Sequence, residues 1–206
     1  MDRPRKAHWD HVYGTKSPDQ VSWFEPTPAR SLALIRATGV SLDSPILDVG
    51  GGASTLVDHL LSEGYSDISV LDIAPRALEQ ARVRLAGQAD RVTWIKSDVL
   101  EFQPARCYGV WHDRAVLHFL TDERSRSRYL AALNAALECG GHVVLATFGP
   151  EGPTRCSGLD VQRYSAGSLS ELLGEGFELR AQSLEVHHTP TGVEQQFLYG
   201  WWEAEA

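Results

Sequence analysis

Nothing constrains the fold of this chain more than the run Ile46-Leu47-Asp48-Val49-Gly50-Gly51-Gly52-Ala53-Ser54. A short apolar segment, Pro45 to Val49, carries one carboxylate and runs into three glycines. An amphipathic stretch, Ser54 to Glu63, then starts at once and stops at Gly64. Strand, glycine turn and helix in that order let the backbone reverse tightly and approach a ligand closely, over the helix end that favours bound polar groups. A glycine turn alone is weak evidence, so the surrounding sequence has to supply the context.

That context is alternation. Pro28 opens a helical stretch, Ala29 to Thr38, ended by Gly39; proline at the start and glycine past the end is the usual asymmetry. After the glycine turn come a strand, Ile68 to Ile73, and a helix from Pro75 through Leu85. Strands at Val92 to Ser97 and Tyr108 to Trp111 follow. A helix with Thr121 as N-cap runs to Glu138, where Gly140 and Gly141 stop it, and His142 to Phe148 is a fifth strand. Repeated strand–helix units of this length predict a doubly wound α/β sheet, parallel, with helices on both faces. The end of the chain differs. Beyond a loop, Gly149 to Asp160, and a short helix at Leu169 to Leu173, the runs Phe177 to Val186 and Gln195 to Trp202 read as an antiparallel hairpin. The expected fold class is therefore α/β, five parallel strands plus a C-terminal antiparallel hairpin.

Composition narrows the function. At 206 residues the chain can bury one sizeable core and little more. A net charge of −8 opposes a phosphate backbone, so no nucleic-acid partner is expected. No apolar run approaches the ~20 residues that span a bilayer, and the basic start, Met1 to Lys6, leads into polar and aromatic residues. A cytoplasmic protein without a membrane partner is expected. Cys107, Cys139 and Cys156 are too scattered for a zinc site or a disulfide framework, which predicts reduced thiols and no metal.

Two details separate the glycine turn from a dinucleotide fingerprint. Gly50-x-Gly52 is not completed at position 55, which is Thr55. Asp48 lies two residues before the first glycine, where a carboxylate would repel a pyrophosphate but attract an ammonium. Asp72, with Ile73 beside it, ends the second strand, where an acid can accept hydrogen bonds from both hydroxyls of a ribose. Asp98 and Val99 end the third. Strand-end aspartates often merely cap loops. Three at successive strand ends beside a glycine turn point to one guest, a positively charged nucleoside.

Asp48-Val49-Gly50-Gly51-Gly52, Asp72 and Asp98 match, in order, the motifs of class I S-adenosylmethionine-dependent methyltransferases, which this chain resembles almost throughout. The resemblance implies a Rossmann-like methyltransferase sheet, S-adenosyl-L-methionine as cofactor, and Asp98 with the Val99 backbone at the adenine. Asp113-Arg114-Ala115-Val116-Leu117, Arg128-Tyr129 and Gly152-Pro153 look like the thiopurine S-methyltransferase group, which modifies sulfur and related soft nucleophiles. His8-Trp9-Asp10-x-x-Tyr13 and Trp23-Phe24 look instead like elongation-factor lysine methyltransferases. Both resemblances imply an N-terminal aromatic segment over the cofactor. Residues 1–206 then form one methyltransferase domain, 1–27 a lid segment and 28–206 the core, with Trp23 and Phe24 as lid aromatics. Aromatics so near a chain end can equally anchor the segment to the core.

Methyl transfer needs an aligned acceptor, excluded water and removal of a proton where the acceptor carries one. The pocket belongs at the carboxyl ends of strands one and four. Trp111-His112-Asp113-Arg114 lies there, and alternation lets only one of His112 and Asp113 face it. Asp113 is expected in the pocket and His112 second, as a base; the alternative for His112 is a half-buried histidine bonded to a loop. Arg114 is expected to pair with an acid, and His118 and His187-His188 to be structural. No Asn/Asp-Pro-Pro-Tyr run and no Pro-Cys nucleophile follows strand four, so base-modifying enzymes are not matched. Three readings remain: a small-molecule methyltransferase tilted toward a thiol-type acceptor, a protein-lysine N-methyltransferase, or a nucleotide-binding protein without methyl transfer.

Overall fold

The computed structural model describes residues 3–205; Met1 and Asp2, at the basic start, and Ala206 lie outside it. Four short apolar runs become the parallel strands β1 (Ile46–Val49), β2 (Ile68–Asp72), β3 (Val92–Lys96) and β4 (Tyr108–Arg114). The fifth, β5 (Leu137–Phe148), also pairs parallel with β4. A ribbon of two short strands, β6 (Arg155–Cys156) and β7 (Leu159–Asp160), interrupts the loop after it. The chain closes with β8 (Phe177–His188) and β9 (Glu194–Ala204), antiparallel to each other, β9 against β5. The sheet order β3-β2-β1-β4-β5-β9-β8 is five parallel strands finished by the expected hairpin. Order reverses between β2-β1 and β1-β4, and the crevice outside that switch point is where such sheets bind ligands.

Residue alternation sorts the core into two layers. Ile46, Ile68 and Val110 face one side, under Leu32 and Ile35 of α2 (Ala29–Ala37), Leu60 of α3 (Leu56–Ser62) and Leu78 of α4 (Pro75–Leu85). Leu47, Leu71 and Trp111 face the other, under Tyr129 and Leu133 of α5 (Glu123–Ala136) and Leu169 of α6 (Ala166–Leu173). A further helix precedes them all: α1 (Arg3–Thr15) packs against α4 and brings Trp9 and Tyr13 into a cluster with Ala53, Ala74 and Ala77.

Boundaries moved where local chemistry competed. Gly140 and Gly141 do not stop a helix. The strand starts at Leu137, Tyr108 pairs with Leu137 but Val110 with His142, and Gly140 takes φ +68° in the irregularity between. Helix α5 is capped by Asp122, whose carboxylate accepts from the Ser125 N–H, not by Thr121. Strand β4 runs through His112 and Asp113 to Arg114, so their side chains are fixed by the pleat and not by a loop.

Candidate active site

The glycine turn leaves β1 at the switch point with Gly50 at φ +67° and Gly52 at φ +36°, a backbone region that side-chain-bearing residues rarely adopt. A Cβ at Gly50 would meet the Val116 side chain at 2.0 Å, and one at Gly52 would meet the Asp72 carboxylate at 2.5 Å. Above it opens a cleft of about 750 Å³, open solvent at its mouth included. Val49 and Gly50, Asp72 and Ile73, and Asp98 and Val99 supply wall from three adjoining strand ends. Trp9, Tyr13, Trp23, Arg114, Phe119 and Cys156 face them. A smaller adjoining cavity shares Tyr13, Trp23, Gly50 and Arg114, and reaches down to Asp48 and His112.

The acids differ in how they are held. Asp72 is buried, with Oδ1 accepting from the Ala74 N–H at 2.7 Å. Burial foremost, with the charges of Asp48 and Asp10, pushes its carboxyl up to about 7. Asp98 accepts from the Leu100 N–H at 2.9 Å, so it caps the turn Val99–Glu101 while still lining the cleft. Asp48 accepts from His112 Nδ1 at 2.7 Å through Oδ1, and its Oδ2 has no hydrogen-bond partner.

His112 and Asp113 point to opposite faces as alternation requires, but the expected assignment between them is reversed. Asp113 is fully buried on the α5 side and lines neither cavity. Its Oδ1 accepts from Val116 N at 2.8 Å, and Oδ2 from Leu117 N at 3.1 Å and Tyr129 Oη at 2.6 Å. Trp111 Nε1 donates in turn to Tyr129 Oη. This carboxylate clamps the turn after β4 and has no face left for substrate. Burial, partly offset by those bonds, pushes its carboxyl up to about 6. His112 lies on the cleft side, 2% exposed, with Nε2 at 2.9 Å from Ser31 Oγ. Both ring nitrogens are engaged. His118 packs between Phe119 and Phe148, and burial drops its pKa to about 3.

Sequence reasoning missed how the segment around Trp23 is fastened. Arg114 donates from Nη1 to the Trp23 carbonyl at 2.8 Å and from Nε to Tyr199 Oη at 3.0 Å, and Nη2 pairs with Glu25 at 3.0 Å. His187 Nε2 donates to the Ser22 carbonyl at 2.7 Å. Burial raises the Glu25 carboxyl, but His187 and Arg114 more than offset it, leaving it below its usual range. Trp23 itself packs edge-on against Trp9 and Tyr13, with ring centroids 5.6 and 6.2 Å away. The backbone of Trp23 is thus anchored while its ring borders the cleft. Glu25, Tyr199 and His187 had no local motif to mark them. Cys107 and Cys139 are exposed and apart from Cys156, which alone of the three is in the wall.

The stretch from β1 into β5, residues 46–141, matches the methyltransferase-domain family. With the sheet order and hairpin, this match supports a class I S-adenosylmethionine-dependent methyltransferase with a Rossmann-like fold. Its relatives are distant. EEF1A lysine methyltransferase 2 of the mouse, Mus musculus, is 23% identical over 191 residues, 84% of this chain and 72% of that one. A protein studied for the conversion of a disulfide bond into a thioacetal group during echinomycin biosynthesis is similar in fold, with TM-score 0.78, 20% identity and coverage of 98% and 93%. The N-methyltransferase NodS from Bradyrhizobium japonicum WM9, in complex with S-adenosyl-L-homocysteine, gives TM-score 0.74 at 17% identity, covering 98% and 99%.

Proposed function

We propose that this protein methylates a small molecule whose acceptor atom is already nucleophilic near neutral pH, a thiol or another soft group. The observation that carries this is the wall opposite the strand-end acids, where none of the described residues offers a base. The Tyr13 hydroxyl and Cys156 thiol are pushed up by burial, Arg114 is a paired cation, and Trp9, Trp23 and Phe119 are apolar. His112 is committed at both nitrogens and Asp113 faces away. A thiol, with pKa about 8.5, is partly ionised in such conditions, whereas a lysine ammonium near 10.4 needs a base or desolvation.

The residues fit the cofactor. The bare Oδ2 of Asp48 suits its amino group, Asp72 and Ile73 the ribose, and Asp98 and Val99 the adenine. Gly50 and Gly52 supply the close backbone. When bound, S-adenosylmethionine supplies a methyl group on a sulfonium already primed to leave. The chain's own task is then to bind, align and keep out water, with Trp23 over the cleft and residues 1–27 acting with 28–206 as one unit.

Protein-lysine methylation is the second reading, favoured by the similarity to the mouse lysine methyltransferase. A labelled-methyl assay separates the two, offering thiol and selenide acceptors in one arm and whole lysate in the other. Label in small or volatile products that tracks acceptor ionisation is expected. Label confined to a protein band overturns the proposal in favour of lysine.

A further inference from the structure

In the buried chain Ser31–His112–Asp48, the roles assigned above use Asp48 and leave Ser31 and His112 without one. Asp48 on β1 and His112 on β4 are cross-strand partners in register, so both project to the α2 face, where Ser31 waits on α2. The three come from residues far apart in sequence, yet are 2%, 2% and 1% exposed. A carboxylate can only accept, so His112 Nδ1 carries the proton donated to Asp48 Oδ1, and the other ring nitrogen lies 2.9 Å from the Ser31 hydroxyl oxygen.

The order serine, histidine, aspartate resembles a nucleophile relay. Ser31 is unsuited to that role: it is buried within α2 and lines neither cavity. The informative end of the chain is the other one. Asp48 Oδ2 is buried without a partner, which is costly for a charged oxygen unless something that binds there meets it. It is aimed into the glycine turn, since a Cβ at Gly51 would lie 2.2 Å from it. A carboxylate free to rotate about χ2 would have no fixed aim, because that torsion is broad. Here one oxygen is tied down and the other is thereby directed.

We propose that His112, steadied by Ser31, is a positioning residue that aims Asp48 Oδ2 at the amino group of the cofactor. This rests on Asp48 meeting that group, so the test must tell the two apart. Calorimetry would compare S-adenosylhomocysteine with methylthioadenosine, which keeps the nucleoside and thioether but lacks the amino acid. His112→Leu is expected to weaken S-adenosylhomocysteine by about tenfold and methylthioadenosine by less than about twofold. His112→Asn, which restores an N–H toward Asp48, should recover most of the loss, and Ser31→Ala should cost about two- to fourfold. Equal weakening of both ligands by His112→Leu would mean packing alone and overturn the proposal. So would Asp48→Ala losing S-adenosylhomocysteine while His112→Leu and Ser31→Ala leave it unchanged. If Asp48→Ala itself binds normally, the underlying assignment of Asp48 fails first, and the proposal with it. Should His112→Leu not fold, Ser31→Ala reads the same contrast between the two ligands at its smaller size.

Discussion

His112 and Asp113 are neighbours on one strand, and the sheet divides their fates. On the α5 side, Asp113 has both oxygens bonded and Tyr129 locked against it by Trp111. On the α2 side, the His112–Asp48 pair is just as buried, but ends in an oxygen with no partner at the edge of a cavity. Depth does not distinguish the two, and neither does residue type. Completeness does: a fully satisfied buried carboxylate stabilises the fold, and an incompletely satisfied one waits for a guest.

The largest effect that would break this contrast comes from exchanging stability for binding at the two aspartates. Asp113→Asn puts an amide N–H where three donors converge, and should destabilise the protein by about 2–4 kcal/mol in urea unfolding. Its folded fraction should bind S-adenosylhomocysteine normally. Asp48→Asn should do the reverse, unfolding within about 1 kcal/mol of the parent while losing affinity. If both variants lose stability alike, the distinction between satisfied and unsatisfied acids has no meaning here.

The legible part of this molecule follows the same line. Strand alternation, the glycine turn and the three strand-end acids were readable because each is set by a short stretch of sequence. That His112 and Asp113 face opposite sides was readable for the same reason. Which of them faces the cleft was not, because it depends on register between β1 and β4 and on what α2 and α5 bring over each face. Ser31, Glu25 and Tyr199 were invisible for that reason too: each joins its partner across long sequence separations. The glycine pair after α5 was misread because glycine ends a helix and relieves a strand irregularity equally well.

A mid-sized effect tests Asp72, which lies on the cleft side but has one backbone bond of its own. Its carboxyl rises from an ordinary 3.8 to about 7, chiefly by burial. The native state therefore holds the proton more tightly than the unfolded chain. The contribution to stability is full below about pH 4 and declines as pH climbs toward 7. Asp72→Asn should remove that decline and stabilise the apo protein at pH 7 by on the order of 1–2 kcal/mol, with little change at pH 4. Denaturant titrations at the two pH values read this directly. A variant less stable than the parent at pH 7 would place Asp72 with Asp113, as a group the fold requires.

The smallest effect is expected at Glu25, where the cleft side has a charge pair as complete as Asp113 but open to water. The Glu25 side chain is 22% exposed, and Arg114 keeps its bonds to Tyr199 and the Trp23 carbonyl if the pair is lost. Glu25→Gln keeps an acceptor and should cost only about 1 kcal/mol, since solvent takes up part of the screening. The lowered carboxyl pKa of Glu25 means this contribution is present above the ordinary carboxylate range and lost as pH falls through it. Parent and variant should accordingly converge in acid. Because Glu25 also orients the Arg114 guanidinium that holds the Trp23 backbone, the variant should also release S-adenosylhomocysteine about two- to fivefold faster in stopped flow. Unfolding and release then move together at Glu25 but separately at Asp48 and Asp113. A Glu25→Gln protein with normal release would show that the Trp23 segment is held by its ring contacts with Trp9 and Tyr13, leaving the charge cluster a role in stability alone.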